Sequence, residues 1–432
     1  MHDLQTLVLA AMLAVIPQSC AQAARDDYAA QAALGQECRY LIAESDAQAD
    51  ELEPVIRYVV CSATRESYLP AILPVRLPTA PVFRLSLTAL GWSTKTWGTI
   101  CGHRRNPYTA LSNPLSVQAS WFLIEATDQT RSDAYLRLIF GSDKPTTLAQ
   151  FWAAVGIDPA AQRGLAFGLI EGQSRVNVNR LGTRLLRFDD GIHASAWSTF
   201  DLRDPTAAAD PLAALDADFQ ADGLEIFVLM PKTARGVRGV LPITLLADGQ
   251  GRIVAEAPVD LVEDKLRTGG LPTIRNPMSC IGCHNQGPQR PTENALASRV
   301  LRGVDVLSND PAAALAAERF HFSDADAALD DWAEGFEAVL LALNGLTPEQ
   351  NSAAYVAAVD AYVADVDLIR AAAELYTDAK TLSLALGWAS ANQVDIGPRL
   401  AGLPYGFAMP RATWESEYRR ADVVLRQWRD RQ

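Results

Sequence analysis

The feature that most constrains this chain is a pentapeptide late in the sequence, Cys280-Ile281-Gly282-Cys283-His284, which we call the C-x-x-C-H motif. This pattern is the attachment signature of c-type haem, in which two thiols add to the haem vinyl groups and the adjacent imidazole ligates the iron. Because haem exposes a large apolar plate, the chain that carries it must cover it with apolar side chains. The motif predicts one covalently attached haem c, anchored by Cys280 and Cys283 with His284 as the proximal iron ligand.

Three other uses of the two thiols stay open beside haem attachment. A zinc site needs two further ligands, which Cys101 and His103 could supply, although no second C-x-x-C accompanies them. A thioredoxin-like dithiol should be followed at once by a helix, whereas residues 285–291 contain Gly and Pro that interrupt one. A disulfide between the two cysteines would leave His284 unexplained. Haem attachment therefore accounts for more of the local sequence than zinc, a reactive dithiol or a disulfide.

The N-terminus has the organisation of a secretory signal. Residues 7–16 form an apolar run of ten residues, half of what a membrane-spanning helix needs. Residues 21–23 are Ala-Gln-Ala, which predicts cleavage after Ala23, although Met1-His2-Asp3 lacks the usual basic residue. We therefore expect a signal peptide over 1–23, a periplasmic or secreted mature protein and no membrane span.

Composition excludes several classes of protein. The 432 residues are 49% apolar, which is typical of globular proteins and enough for two or three hydrophobic cores. The 51 acidic against 38 basic residues give a net charge of −13. A surface of this sign repels the phosphate backbone, so nucleic acid is not an expected partner.

Hydrophobic periodicity divides the mature chain in two and predicts an α+β fold. Residues 24–264 should form a mixed region that begins with a helical hairpin, in which Cys38 and Cys61 could pair as a disulfide. Strands are then expected at 82–87, 117–124, 165–170, 224–230, 239–246 and 252–259, with a hairpin turn at 248–251 and a helix over 148–155.

Residues 265–432 should form a helical region that carries the motif. Apolar residues recur at helical spacing from 323 to 343, and Asn344-Gly345 follows as a stop signal. Thr347-Pro348-Glu349-Gln350 is a capping box for a second helix, and an apolar face predicts a third over 411–429. These helices offer the apolar surface that a haem requires.

The residue opposite His284 would decide the chemistry of the iron. Met409 lies in a loop rich in Pro and Gly, residues 404–410, and is the candidate distal ligand; His321 is a second candidate, with His103 and His193 behind it. Arg275 and Arg290 flank the motif and are candidate partners of the haem propionates. A Met or His ligand would make an electron carrier, while an open face would allow oxygen, nitric oxide or peroxide to bind.

Several further landmarks extend beyond the motif: the segments 83–87, 91–97, 119–122, 174–181, 197–201 and 226–251, followed by 278–284. Together they resemble a group of exported bacterial c-type cytochrome-like proteins that carry a single haem-attachment motif and whose function is poorly characterised. The resemblance covers residues 80–432 and implies haem binding, electron transfer and an extracytoplasmic location. Only Cys280, Cys283 and His284 carry over from it as functional residues.

The sequence therefore predicts an exported mono-haem c-type cytochrome that carries single electrons in the periplasm. Its expected partners are periplasmic redox proteins and the haem maturation machinery. The alternative is a haem enzyme, or a gas or redox sensor, with an open distal iron site. A dedicated enzymatic activity is less expected than electron transfer, because the sequence has no second C-x-x-C-H and no hydrolase or nucleotide-binding pattern.

Overall fold

The computed structural model describes residues 16–66, 69–101, 107–110, 115–158, 167–171, 183–190, 194–201, 223–229, 232–233, 236–237, 241–284 and 322–432. Within these ranges the fold is mixed α and β, with a helical C-terminal region, as the sequence predicts. None of the helices in the described ranges is both long and apolar enough to cross a bilayer.

Two antiparallel-rich sheets and one short ribbon contain the strands. The strands are β1 (Cys38–Ile42), β2 (Val75–Arg76), β3 (Val82–Ser86), β4 (Ser116–Gln118), β5 (Phe167–Glu171), β6 (Thr183–Asp190), β7 (Ser195–Asp201), β8 (Gly223–Leu229), β9 (Lys232–Thr233), β10 (Gly236–Val237), β11 (Ile243–Asp248) and β12 (Ile253–Val254). The first sheet has the order β2-β3-β1-β4, the second β12-β11-β8-β7-β6-β5, and β9 pairs only with β10.

Helices precede, interrupt and follow the sheets. They are α1 (Ile16–Ala33), α2 (Asp46–Ser62), α3 (Leu69–Ile72), α4 (Thr94–Cys101), α5 (Ala119–Thr127), α6 (Ala134–Phe140), α7 (Leu148–Val155), α8 (Met278–Cys283), α9 (Phe322–Asn344), α10 (Pro348–Val363), α11 (Leu368–Glu374), α12 (Ala379–Ala391), α13 (Gly397–Gly402) and α14 (Arg411–Arg429). The cleavage point predicted after Ala23 falls inside α1.

The N-terminal helical hairpin is wrong in its first half. Residues 38–42 form strand β1, which pairs antiparallel with β3 and parallel with β4. All five residues of β1 are buried, because α1 covers one face of this sheet and the main core covers the other. A short strand buried on both faces shows no alternation, so its apolar run matched helical spacing by chance. The second half of the hairpin, α2, is confirmed as a helix.

The disulfide considered between Cys38 and Cys61 is also wrong, since both are free thiols. Cys38 points from β1 into the small cluster under α1, whereas Cys61 lies on α2 in the main core. The two side chains therefore lie on opposite faces of the first sheet and cannot reach the separation that a disulfide requires.

The strand expected over residues 117–124 is wrong for most of its length. The chain is extended only through β4 and then forms α5, all nine residues of which are buried. A helix buried on every side has no polar face, so its sequence is a continuous apolar run that is as compatible with a buried strand as with a helix.

The second sheet agrees better with the sequence. The turn at residues 248–251 joins β11 to β12, with Leu246 opposite Val254, and Asp248 Oδ1 accepts hydrogen bonds from the amides of Gln250 and Arg252. This confirms the predicted hairpin, although its second strand is only two residues long.

The C-terminal helices are confirmed almost residue for residue. Helix α9 covers the predicted stripe, and α14 spans the predicted 411–429. The capping box is present in full, because the Thr347 hydroxyl accepts from the Gln350 amide and the Gln350 side chain accepts from the Thr347 amide. Helix α7 also matches its predicted bounds and ends at Gly156, whose φ of 72° belongs to the left-handed region.

The main core takes side chains from both sides of residue 265, including Leu41, Trp121, Ile226 and Tyr355. Along β8, Ile226 and Val228 point into this core, whereas Glu225 lies on the other face of the sheet. The face that carries Glu225 is the one that matters for the motif.

Two carboxylates, the buried Glu374 and the half-buried Glu44, lie close together where the first sheet meets the C-terminal helices. Glu374 accepts from Arg411 Nη1 at 2.7 Å and from the Tyr108 hydroxyl at 2.7 Å. Glu44 accepts from Gln118 Nε2 at 2.7 Å. Burial, and then the negative charge of Glu374, raise the pKa of the Glu44 carboxyl to about 7, against the smaller opposing effects of a hydrogen bond with Gln48 and of the charges of Arg411 and Arg370.

This raised pKa predicts a pH dependence of stability. Because the folded-state pKa of Glu44 lies above its unfolded value, the contribution is favourable at low pH and is lost as the pH rises from 4.5 to about 7. The loss is at most about 3 kcal/mol. We expect Glu44→Gln to remove this pH dependence. The free energy of unfolding, measured with urea, should therefore fall less between pH 4.5 and 7 in the variant than in the wild type. Equal pH slopes for the two proteins would contradict the assignment.

Candidate functional site

The C-x-x-C-H motif forms a short helix that ends at its second cysteine. Helix α8 begins at Met278 after Pro277, and the His284 amide closes its last turn by donating to the Cys280 carbonyl at 2.8 Å. Residues at helical positions i, i+3 and i+4 lie on one face, so this turn brings the side chains of Cys280, Cys283 and His284 together. His284 itself leaves the helical conformation, with φ −96° and ψ 52°.

The back of α8 is fixed by close packing at Gly282. The Ser352 hydroxyl on α10 donates to the Gly282 carbonyl at 2.7 Å. A Cβ atom at Gly282 would lie 2.8 Å from Thr268 Oγ1 and 3.3 Å from Val356 Cγ2. The second variable position of the motif therefore requires glycine in this fold, because α10 and the loop around Thr268 leave no space for a side chain.

The reactive face of α8 meets two buried carboxylates. Glu225 on β8 has Oε1 3.3 Å from His284 Nε2. Cys283 Sγ lies 3.9 Å from Asp264 Oδ1, whose carboxylate also accepts from the amides of three following residues. Neither carboxylate carries a motif signature; the one hint in the sequence is an acidic residue inside the apolar strand β8. Sequence reasoning missed both.

The two thiols differ in environment. Cys280 is 1% exposed, and its Sγ lies 3.6 Å from Asn276 Oδ1, while Cys283 is partly accessible. Burial raises the pKa of the Cys280 thiol well above its usual value, and the negative charges of Glu225 and Cys283 raise this pKa further. Cys280 is therefore a protonated, weakly nucleophilic thiol in this arrangement.

Arg275, expected as a propionate partner, is instead part of the scaffold. Its guanidinium donates to Asp128 Oδ2 at 2.7 Å and to the Thr268 carbonyl at 2.8 Å, and the ion pair is buried. Its backbone amide donates to the Ser279 hydroxyl inside α8. Arg275 thus ties the start of the motif helix to the end of α5. Arg290 lies outside the described residues.

Met409 does not lie near the motif. It is buried and pairs through its backbone with Val366, just beyond the C-terminal end of α10. The motif packs on Ser352 near the N-terminal end of the same helix. The helical rise of 1.5 Å per residue separates Ser352 from the last residue of α10 by about 16 Å. The structure therefore does not bring Met409 to His284. His103, His193 and His321 lie outside the described residues.

A cavity of about 340 Å³ opens beside the motif at the end of the second sheet. Its floor contains Glu225 and Gly223 from β8, and its apolar wall belongs to a small cluster that includes Leu261, Val262 and Ile274. Arg252 and Glu256 stand at its rim. Glu225 is therefore shared by the cavity and the motif.

The residues of the motif fit a c-type haem in two respects and conflict with it in two. Cys280 and Cys283 lie one helical turn apart with His284 directly after them, and Cys283 is partly accessible. Attachment through both sulfurs also requires access to Cys280, which is 1% exposed, and iron binding requires a free His284 Nε2, which faces Glu225. Haem attachment therefore requires the carboxylate or the ring to move.

The described residues contain no group of three or more His, Cys, Asp or Glu side chains arranged to hold a metal ion. The additional zinc ligand considered at His103 lies outside the described ranges. Comparison of the chain with protein-family models, with curated proteins and with solved structures gives no match. The functional argument consequently depends on the chemistry of the motif and its surroundings.

Proposed function

We propose that this protein is an exported, mono-haem c-type cytochrome that transfers single electrons in the periplasm. The observation that carries the proposal is the placement of Cys280 and Cys283 one turn apart on a helix that His284 caps and that is anchored from behind by Ser352 and Arg275. Haem c would supply a one-electron iron couple at this position. The residues that would hold it are the two cysteines, as thioether anchors, and His284, as proximal ligand.

The chain contributes the attachment chemistry and the surroundings of the site. In attachment, each sulfur forms a bond to one vinyl carbon and the thiol proton is transferred to the other carbon, so no oxidant or reductant is consumed. Buried packing around α8 keeps water from the Cys280 anchor, and apolar surroundings disfavour the charged states of nearby groups. Redox partners that are basic would be attracted by the net charge of −13.

A haem enzyme or a gas or redox sensor with an open distal site is the second candidate. One observation favours it: Met409, the distal ligand expected from the sequence, lies at the other end of α10 from the motif. An electron carrier of the six-coordinate type needs such a ligand, and an open face would bind small molecules instead.

Absorption spectroscopy tests the proposal and separates the two candidates. The protein is produced in a host with active haem maturation, purified from the periplasm and reduced. An electron carrier should give a haemochrome of the c type with one haem per chain and a low-spin ferrous spectrum that carbon monoxide does not change. A spectrum shifted by carbon monoxide would reject the carrier in favour of the open-site candidate, and protein without haem would reject both.

A further inference from the structure

Glu225 contacts two of the three functional side chains of the motif. Its Oε1 lies 3.3 Å from His284 Nε2, and its carboxylate also accepts a hydrogen bond from the Cys280 thiol. The Glu225 side chain is 9% exposed and that of His284 is 13% exposed. One buried carboxylate therefore engages both an anchoring sulfur and the imidazole that would bind iron.

These contacts hinder both reactions expected of the motif, which are bond formation at the Cys280 sulfur and metal binding by His284. A thiol hydrogen-bonded to a carboxylate in a buried site is weakly nucleophilic, and an imidazole nitrogen that faces a carboxylate is not available to a metal. Hydrogen bonds to an ionised partner are stronger than those between neutral groups in proteins. Such bonds would favour the arrangement in which Glu225 contacts the motif over one in which it does not. The carboxylate must leave before the motif can react.

The structure also provides a place for the displaced carboxylate. Glu225 lines the cavity of about 340 Å³, and its neighbour on the same face, Gly223, has no side chain to obstruct it. Arg252 stands at the rim of this cavity with a side chain that is 69% exposed. The lining also contains the carboxylates of Asp201, Asp248 and Glu256, and Arg252 pairs with Asp248. A carboxylate that rotates into the cavity would therefore be solvated by water rather than enter the apolar core.

We propose that Glu225 is a latch, which closes the C-x-x-C-H motif in the protein before haem is attached and swings into the adjacent cavity when the motif is used. This inference rests on the proposed function for its biological purpose, but the latch itself is a property of the chain without haem. Glu225 is a positioning residue in this scheme and takes no part in electron transfer.

Thiol reactivity tests the latch in protein produced without haem maturation and kept reduced. The alkylation rate of each cysteine by iodoacetamide is measured by peptide mass spectrometry for the wild type, Glu225→Ala and Glu256→Ala. Glu256 is a matched control, because it is an exposed carboxylate on the same cavity that does not contact the thiols. We expect Glu225→Ala to raise the Cys280 rate about tenfold, and Glu256→Ala to leave it unchanged.

Removing the Glu225 carboxylate also favours the Cys280 thiolate, which by itself would speed alkylation. A second measurement therefore separates opening of the motif from this change in thiol ionisation. Amide hydrogen exchange of residues 278–284 does not depend on the thiol and should increase in Glu225→Ala, with α12 unaffected. Buried Cys61 reports on global unfolding. If Cys61 becomes reactive in Glu225→Ala, that variant has lost its global fold, and the isosteric Glu225→Gln is measured in its place. We expect Glu225→Gln to raise the alkylation rate of Cys280 about threefold.

Rates of Cys280 alkylation and of α8 exchange that match the wild type would overturn the latch, as would an equal increase in Glu256→Ala. These outcomes are independent of haem content. Wild-type protein that never acquires haem in a maturing host would instead overturn the proposed function and leave the latch without its purpose.

Discussion

Replacing Arg275 by alanine is expected to lower the free energy of unfolding by about 3–5 kcal/mol, because it leaves the buried carboxylate of Asp128 without its cation. The guanidinium and Asp128 Oδ2 are 2.7 Å apart, with side-chain exposures of 8% and 3%. The substitution also removes the bond from Arg275 Nη2 to the Thr268 carbonyl. Urea unfolding should show a lower midpoint with an unchanged slope.

The matched control is Arg252→Ala, which removes an arginine of the same length from an ion pair with Asp248 at 2.7 Å. That arginine is 69% exposed, so its removal should cost less than about 1 kcal/mol. If Arg275→Ala and Arg252→Ala lower the free energy of unfolding by similar amounts, burial of the Arg275–Asp128 pair does not add to stability. Because the Arg275 guanidinium joins the loop before α8 to Asp128 and to the Thr268 carbonyl, we expect Arg275→Ala to lower haem loading together with stability.

Substitution of the motif itself should have the largest effect on the cofactor. We expect Cys283→Ala and His284→Ala each to reduce haem per chain to below about a tenth of the wild type in a maturing host, because each removes one of the covalent or coordinate bonds on which attachment depends. The pyridine haemochrome, normalised to protein concentration, measures this ratio.

Cys61→Ala provides the control for these variants, since it removes a buried thiol of the main core that lies outside the C-x-x-C-H motif. It should retain haem at the wild-type level even if its stability falls slightly. Normal loading of both motif variants would be incompatible with attachment at residues 280–284 and would direct attention to the zinc or disulfide alternatives.

The parts of the fold that could be predicted are those in which one face of an element is exposed. Helices α7, α9 and α14 carry apolar stripes beside polar faces, so periodicity identified them, and capping residues such as Thr147 and Thr347 defined their starts. Strand β1 and helix α5 failed for the opposite reason, because both are buried on all sides. When an element has no polar face, its sequence shows no alternation of apolar and polar residues from which a helix or a strand could be predicted.

The candidate site divides in the same way. The motif is a local pattern, and the prediction of haem attachment needs only five consecutive residues. Glu225 and Asp264 approach it from positions 59 and 19 residues before His284 and Cys283, through the pairing of strands and the course of a loop. Met409 was predicted from the loop that surrounds it, whereas its position is set by backbone pairing with Val366. Such tertiary placements leave no local signature.

Mass spectrometry of the motif peptide tests the central claim most directly. Wild-type protein from the periplasm of a host with active haem maturation is digested with trypsin, and the peptide that contains residues 276–284 is isolated. Attachment through both sulfurs predicts that this peptide alone gains the mass of one haem, and that neither of its cysteines can then be alkylated. A peptide of unmodified mass with both thiols reactive, or with the two joined as a disulfide, would contradict the account.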